Sequence, residues 1–284
     1  DNMREADYYT YQDDKIKCLL CPHYCELSEG QTGLCQVRKV KDNKLRAVSY
    51  AQVSSVALDP IEKKPLYEYH PQHQILSLGS IGCNLSCQFC QNYRIAQELD
   101  VPTQELAPQE AVDLAQERNS FGLAYTYSEP LIWYEYVLDT AKLAHENGLK
   151  NVLVTNGTIN AEPLKELLPY IDAVNLDIKA FREEFYQDIC GGYLNIVQQS
   201  AEIINKSDTH LELTTLIIPD LNDDPAEIKE LVAWIADLNP EIPLHLSRYF
   251  PHYKLDKPPT PRETLYQAQE IAQEKLSSVY LGNV

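Results

Sequence analysis

From Gln74 onward the chain repeats one pattern: a short apolar run, then a longer amphipathic run, six times over. Strand periodicity marks 75–81, 121–127, 151–155, 173–178, 211–218, 243–249 and 278–281. Helical spacing marks 108–118, 131–147, 161–168, 194–205, 225–238 and 262–274. Pro follows a helix-start position at Ala107-Pro108 and Asp224-Pro225, and Asn147-Gly148 closes a helix. Strands separated by helices pair in parallel through crossovers, with the helices packed outside. The expected fold is α/β, a partial (β/α)6-type TIM barrel. Residues 1–72 do not share the pattern. Residues 45–58 fit one or two short strands after a turn at Lys41-Asp42-Asn43-Lys44. The expected division is an N-terminal cysteine-rich metal-binding extension over 1–72 and the barrel over 73–284.

Three strands carry polar residues at every second position: Asn175, Asp177 and Lys179; His210, Glu212 and Thr214; His245 and Ser247. Side chains alternate across a strand, so each set shares one face. The interior of a packed barrel is apolar. A polar face inside one therefore implies a cavity lined for ligands, whereas an antiparallel sheet with one wet face would alternate in the same way.

The formal net charge is −18, which argues against a nucleic-acid partner, whose phosphates would be repelled, and suits a protein or small-molecule partner. No run of apolar residues is long enough to span a membrane, and the N-terminus does not read as a signal peptide. Asp1 and Asn2 ahead of Met3 read as an appended remnant. The expected compartment is the cytoplasm.

Seven of the eight cysteines form two groups. In a reducing compartment, clustered thiols read as metal or cluster ligands rather than disulfides. Cys83, Cys87 and Cys90 follow the first barrel strand, at the end where barrel active sites are built. Three thiolates ligate three irons of a 4Fe–4S cluster and leave the fourth open to a chelating ligand. A zinc knuckle completed by a distant ligand is the bland alternative. Cys18, Cys21, Cys25 and Cys35 supply four thiols, enough to close a site. That site takes either a structural zinc or a second iron–sulfur cluster. Full ligation leaves no open position, which favours a structural metal. His23 reads as a surface residue. Cys190, in Ile189-Cys190-Gly191-Gly192, reads as a buried inert thiol, with a role near the substrate as the rival reading.

Cys83-x-x-x-Cys87-x-Phe89-Cys90 after a strand resembles the signature of the radical S-adenosylmethionine (SAM) superfamily. Across most of the chain the resemblance is to the AmmeMemoRadiSam-system radical SAM enzymes, of the pyruvate formate-lyase activating enzyme-like group. It is carried by Cys18-Leu19-Leu20-Cys21-Pro22-His23-Tyr24-Cys25, Asp59-Pro60-Ile61-Glu62-Lys63-Lys64-Pro65-Leu66-Tyr67, Ile189-Cys190-Gly191-Gly192 and Ser247-Arg248-Tyr249-Phe250-Pro251-His252-Tyr253. Thr126-Tyr127-Ser128-Glu129-Pro130 looks like the superfamily's Gly-Gly-Glu-Pro segment, with Tyr127-Ser128 in place of the two glycines. Val154-Thr155-Asn156-Gly157 and Asn175-Leu176-Asp177-Ile178-Lys179 resemble segments of the glycyl-radical-enzyme activases, with Val154 where an Asp stands.

The resemblance implies an enzyme whose cluster, held by Cys83, Cys87 and Cys90, reductively cleaves SAM to a 5′-deoxyadenosyl radical that takes hydrogen from a protein or small-molecule substrate. It implies an electron donor such as flavodoxin or ferredoxin. Phe89 is placed beside adenine, Ser128 and Glu129 at the SAM amino group, and Asn175, Asp177 and Lys179 at the methionyl end with Thr155 and Asn156. Thr214 and His252 complete the cofactor-binding set. His210, Glu212 and His245, with Thr214 and His252, are expected on a deeper or substrate-facing wall. An activase proper, or an iron–sulfur electron carrier without SAM chemistry, are the rival readings. Relatives of this kind often continue past Gly282-Asn283-Val284 with another cysteine pair, so a longer natural chain is expected.

Overall fold

The computed structural model describes residues 3–284; Asp1 and Asn2 lie outside the described residues. One eight-stranded sheet dominates. Its strands are β1 (Ser55–Pro60), β2 (Gln74–Gly79), β3 (Gly122–Thr126), β4 (Lys150–Thr155), β5 (Ala173–Asp177), β6 (His210–Ile217), β7 (Leu244–Arg248) and β8 (Val279–Gly282), in that spatial order. From β2 to β8 every pairing is parallel. β1 alone runs antiparallel, with Ser55 opposite Gly79 and Pro60 opposite Gln74. The sheet therefore takes in one strand from ahead of residue 73. The wet antiparallel alternative is excluded by these registers, because each crossover carries a helix.

Among the described residues the helices of seven residues or more are α1 (Pro108–Glu117), α2 (Tyr134–Glu146), α3 (Ala161–Leu167), α4 (Leu194–Asn205), α5 (Pro225–Leu238) and α6 (Arg262–Gln273). Each buries an apolar stripe, Ile228, Leu231, Val232 and Ile235 in α5 for example. Asp224 caps α5 through its side chain, 2.8 Å from the Ala226 N–H. α2 begins three residues later than its sequence pattern: Pro130–Ile132 form a 3-10 turn, because the Glu129 carboxylate caps the Leu131 N–H at 2.9 Å. No helix is long and apolar enough to cross a membrane among the described residues.

Residues 3–50 carry two small antiparallel sheets, Tyr9–Gln12 with Lys15–Cys18 and Glu26–Leu27, and Arg4–Glu5 with Lys44–Ala47 and Arg38–Lys41. Asp42 and Asn43 turn the second hairpin with φ of 54° and 53°, conformations that Asn and Asp tolerate. Buried Arg38 ties this region to α2 by a bidentate pair with Glu135, at 2.8 and 3.1 Å.

One segment shapes the barrel more than its length suggests. After β1, residues 61–70 cross the lower end of the barrel as a strap. Ile61 and Leu66 are fully buried among Ile75, Ala124, Val152 and Ala173, the inward residues at the start of the parallel strands. Tyr280 of edge strand β8 donates to Glu68 at 2.8 Å. The strap thus floors the barrel and joins the open side.

Candidate active site

β2 ends at Gly79, and residues 80–92 form a loop above the C-terminal ends of the parallel strands. The loop is braced from two sides. Ser86 N–H donates to the Cys190 carbonyl at 2.7 Å, Gln88 N–H to Ile189 at 3.1 Å, and Lys254 N–H to Gln88 at 2.9 Å. Gly82 lies at φ +85°, and a Cβ there would stand 2.5 Å from the Cys35 carbonyl. Gly191 is at φ +70°, and a Cβ on it would sit 2.6 Å from the Ser86 hydroxyl. The Cys-Gly-Gly sequence is a side-chain-free face pressed on the cysteine loop.

The three thiols of the loop interact. Burial pushes the Cys83 thiol well up, and the charges of Glu129 and Cys87 add to this. Burial also raises Cys90, with Cys87 second. Cys87 moves down, because a hydrogen bond with Cys190 and the positive charge of Lys179 outweigh its burial. Among the described residues no three His, Cys, Asp or Glu side chains stand close enough to hold one metal ion.

Glu129, Thr155 and Asn156 form a bracket beside Cys83. The Glu129 carboxylate accepts from Leu131 N–H at 2.9 Å, Thr155 hydroxyl at 2.5 Å and Asn156 N–H at 2.9 Å. Burial still pushes its carboxyl up to about 7. The Asn156 amide lies 3.5 Å from the Cys83 sulfur and 3.2 Å from the Asn84 side-chain oxygen. The Ser128 hydroxyl is enclosed without a partner, a donor and acceptor left for a ligand. Asp177 and Lys179 pair at 2.7 Å with side chains 30% and 17% exposed. Lys179 keeps its proton strongly: burial opposes this, but the charges of Asp177 and Cys87 prevail. Phe89 is buried with its ring 6.0 Å from Phe185. His252 is exposed on the 250–255 loop, 5.6 Å from the Tyr93 ring. Cys190 is fully buried beside Cys87.

Other polar residues serve the strap. The Asn175 amide donates to the Pro65 carbonyl at 2.7 Å, and its oxygen accepts from Thr214 at 3.0 Å. Glu212, without exposed surface, accepts from the Tyr67 and Glu68 N–H groups at 3.1 and 2.9 Å. It also binds His210 at 2.9 Å and His245 at 2.6 Å. The Tyr67 ring covers His245, centroids 4.7 Å apart. Of the deeper or substrate-facing wall expected for His210, Glu212 and His245, the hydrogen bonds to the strap give the deeper one. These groups lie at the floor of the barrel and are consumed by holding the strap, because two buried backbone N–H groups need an acceptor there.

Sequence reasoning missed Tyr127. It takes φ +69° where the resembling segment has glycine, and its hydroxyl donates to Asp59 at 2.6 Å. Lys64 binds the same carboxylate oxygen at 2.9 Å and lies 4.5 Å from the Tyr127 ring centre. Burial raises the Asp59 carboxyl, but these donors hold it well below the ordinary range. The signal was the pairing of an Asp59-x-x-x-x-Lys64 motif with a non-glycine in a glycine position. A cavity of about 810 Å³, lined by Lys150, Asp172 and His210, opens at the opposite end of the strands, away from the cysteines.

A family model described as the Radical SAM superfamily matches residues 78–234. The chain is 43% identical over 288 residues to an uncharacterised protein of Methanocaldococcus jannaschii, covering 99% of this chain and 86% of that one. It is 24% identical over 213 residues to the pyruvate formate-lyase 1-activating enzyme of Escherichia coli K12, covering 68% and 86%. Among solved structures it resembles SuiB of Streptococcus suis bound to S-adenosylmethionine, at TM-score 0.57 and 16% identity, over 73% of this chain and 51% of that one.

Proposed function

This chain belongs to the radical SAM superfamily, and from that premise we propose that it holds a 4Fe–4S cluster on Cys83, Cys87 and Cys90 and reductively cleaves S-adenosylmethionine to abstract hydrogen from a substrate. The observation that carries this reading is the three-thiol loop at the C-terminal mouth of a parallel barrel, ringed by Glu129, Asn156 and the Asp177–Lys179 pair. When bound, the cluster supplies the single electron that splits SAM into methionine and a 5′-deoxyadenosyl radical.

The chain's own residues do the rest. Lys179 offers a fixed ammonium for the methionyl carboxylate, and Asp177 an acceptor for the amino group. Ser128 supplies a free hydroxyl beside Glu129, while Thr155 and Asn156 hold Glu129 and Cys83 in register. Phe89 offers an apolar face for adenine, and His252 lies at the rim. Asn175 and Thr214 act from beneath by fixing the strap, which closes the barrel floor against water.

The substrate is a protein or a small molecule. The activating enzymes among the relatives favour a protein partner, with a glycine Cα as the hydrogen donor in the activase version. A reduced flavodoxin or ferredoxin is the proposed electron source, in the cytoplasm. Anaerobic protein reconstituted with iron and sulfide, reduced with dithionite and given SAM should release 5′-deoxyadenosine. An iron–sulfur carrier without SAM chemistry releases none, and that result would overturn the reading.

A further inference from the structure

We propose that the cavity at the lower end of the barrel binds a small molecule that joins a flat ring to one anionic group, a phosphate or a carboxylate. The cavity measures about 810 Å³, within the range of small-molecule sites. It lies between the strap, the segments that enter β5 and β6, and the C-terminal ends of α3 and α4. It is separate from the cysteine mouth, so the proposal does not rest on the catalytic reading.

One part of the lining is aromatic. The Tyr69 and His210 rings stack, with centroids 5.5 Å apart and 29° between their planes. The His70 ring stands edge-on to Tyr69 at 4.7 Å. Ile171 and Ile203 add apolar surface. A planar ring packs on such a wall by offset or edge-on contact.

The other part carries donors without acceptors. Lys165 and Lys206, exposed at the rim, make no ion pair or hydrogen bond through their amines among the described residues. The Tyr69 hydroxyl makes no hydrogen bond there either. Burial, and then the charge of Asp172, holds this phenol above its ordinary value, so it stays a protonated donor. Asp172 does not answer these groups, because its two oxygens accept from Lys150 Nζ and the Asn151 N–H, each at 2.8 Å. Exposed Asp208 is left as one negative charge against two ammonium groups.

Lysines near helix C-termini commonly serve the last carbonyls. Here other groups do so. The Ile204 carbonyl accepts from the Ser207 hydroxyl at 2.7 Å, and the Ile171 carbonyl from the Thr209 hydroxyl at 3.0 Å. In a chain of net charge −18, two unanswered ammonium groups and a phenol beside an aromatic wall make a local place for an anion that carries a ring.

The cavity also touches the tether of the strap. Tyr69 and His70 end the strap, and His210 holds Glu212, the acceptor of the Tyr67 and Glu68 N–H groups. A ligand held by Tyr69 and His210 favours the closed strap, because only that state brings the two rings together.

The test uses the full chain and two probes, adenosine 5′-monophosphate for the phosphate and 1-naphthoate for the carboxylate. Calorimetric titration at low salt should give a Kd below about 1 mM for at least one of them, and which one binds names the anion. Inorganic phosphate and acetate, which lack a ring, should bind about tenfold more weakly. Lys165→Ala/Lys206→Ala should weaken the bound probe about tenfold with an unchanged circular dichroism spectrum, and Tyr69→Phe should weaken it as well. Hydrogen exchange with the probe bound should slow at the Tyr67, Glu68 and His210 amides. Binding by neither probe, equal binding by the double lysine variant, or protection at Ser128 and Asn156 in place of the strap would each overturn the site. Equal binding of the ringless anions would refute the aromatic half of the assignment.

Discussion

Replacing Glu212 by Gln should detach the strap and cost the fold about 3–5 kcal/mol, the scale for removing one partner of a buried charged network. Burial alone would raise the Glu212 carboxyl. The donors His210, His245, Glu68 N–H and Tyr67 N–H reverse this and hold it from an ordinary 4.5 down to about 2. A depression of that size corresponds to about 3 kcal/mol. The folded pKa is lowered, so this stabilisation is present at neutral pH and is lost as pH falls from about 4.5 through about 2. Gln keeps one acceptor oxygen and turns the other into a donor. In one orientation it opposes Tyr67 N–H and His245, in the other Glu68 N–H and His210, and each stranded donor costs about 1–3 kcal/mol. Urea unfolding across pH 2–7 reads the global term, with the gap between wild type and variant narrowing toward low pH. Hydrogen exchange at the Tyr67 and Glu68 amides reads the local one. A variant of wild-type stability, with slow exchange at those amides, would refute the account.

Cys83→Ala, Cys87→Ala and Cys90→Ala should each abolish 5′-deoxyadenosine formation with the circular dichroism spectrum unchanged; near-normal product from any of them under dithionite contradicts the site. Asp177→Ala should cost folding no more than about 1 kcal/mol, since the pair is partly exposed, yet weaken SAM binding about tenfold; calorimetric titration showing unchanged affinity counts against the methionyl placement. Tyr127→Phe should lower stability by about 1 kcal/mol by removing one donor from Asp59, which keeps Lys64, measured by thermal unfolding; no change would deny the hydroxyl its role. Burial raises Glu129, so the ligand-free chain should lose stability as pH rises from about 4.5 through about 7, and Glu129→Gln should flatten that limb of a stability–pH profile.

The periodicities of 75–81 and 225–238 were enough to predict a strand and a helix, because burial of one face imposes its spacing on the sequence itself. The cysteines proposed as cluster ligands were legible for a related reason: the three lie within eight residues, so the motif is local. The polar faces of β5, β6 and β7 were also visible, but not what they serve. Glu212 and Asn175 read as ligand groups, yet their partners are backbone atoms of Tyr67, Glu68 and Pro65, more than a hundred residues away. A carboxylate that binds a substrate and one that binds a strap look alike in a sequence. Only the tertiary structure decides which donor arrives, because the need for an acceptor arises when the strap's N–H groups are buried. The Asp59–Lys64–Tyr127 group was decided in the same way, by folding that brings distant segments within hydrogen-bonding range.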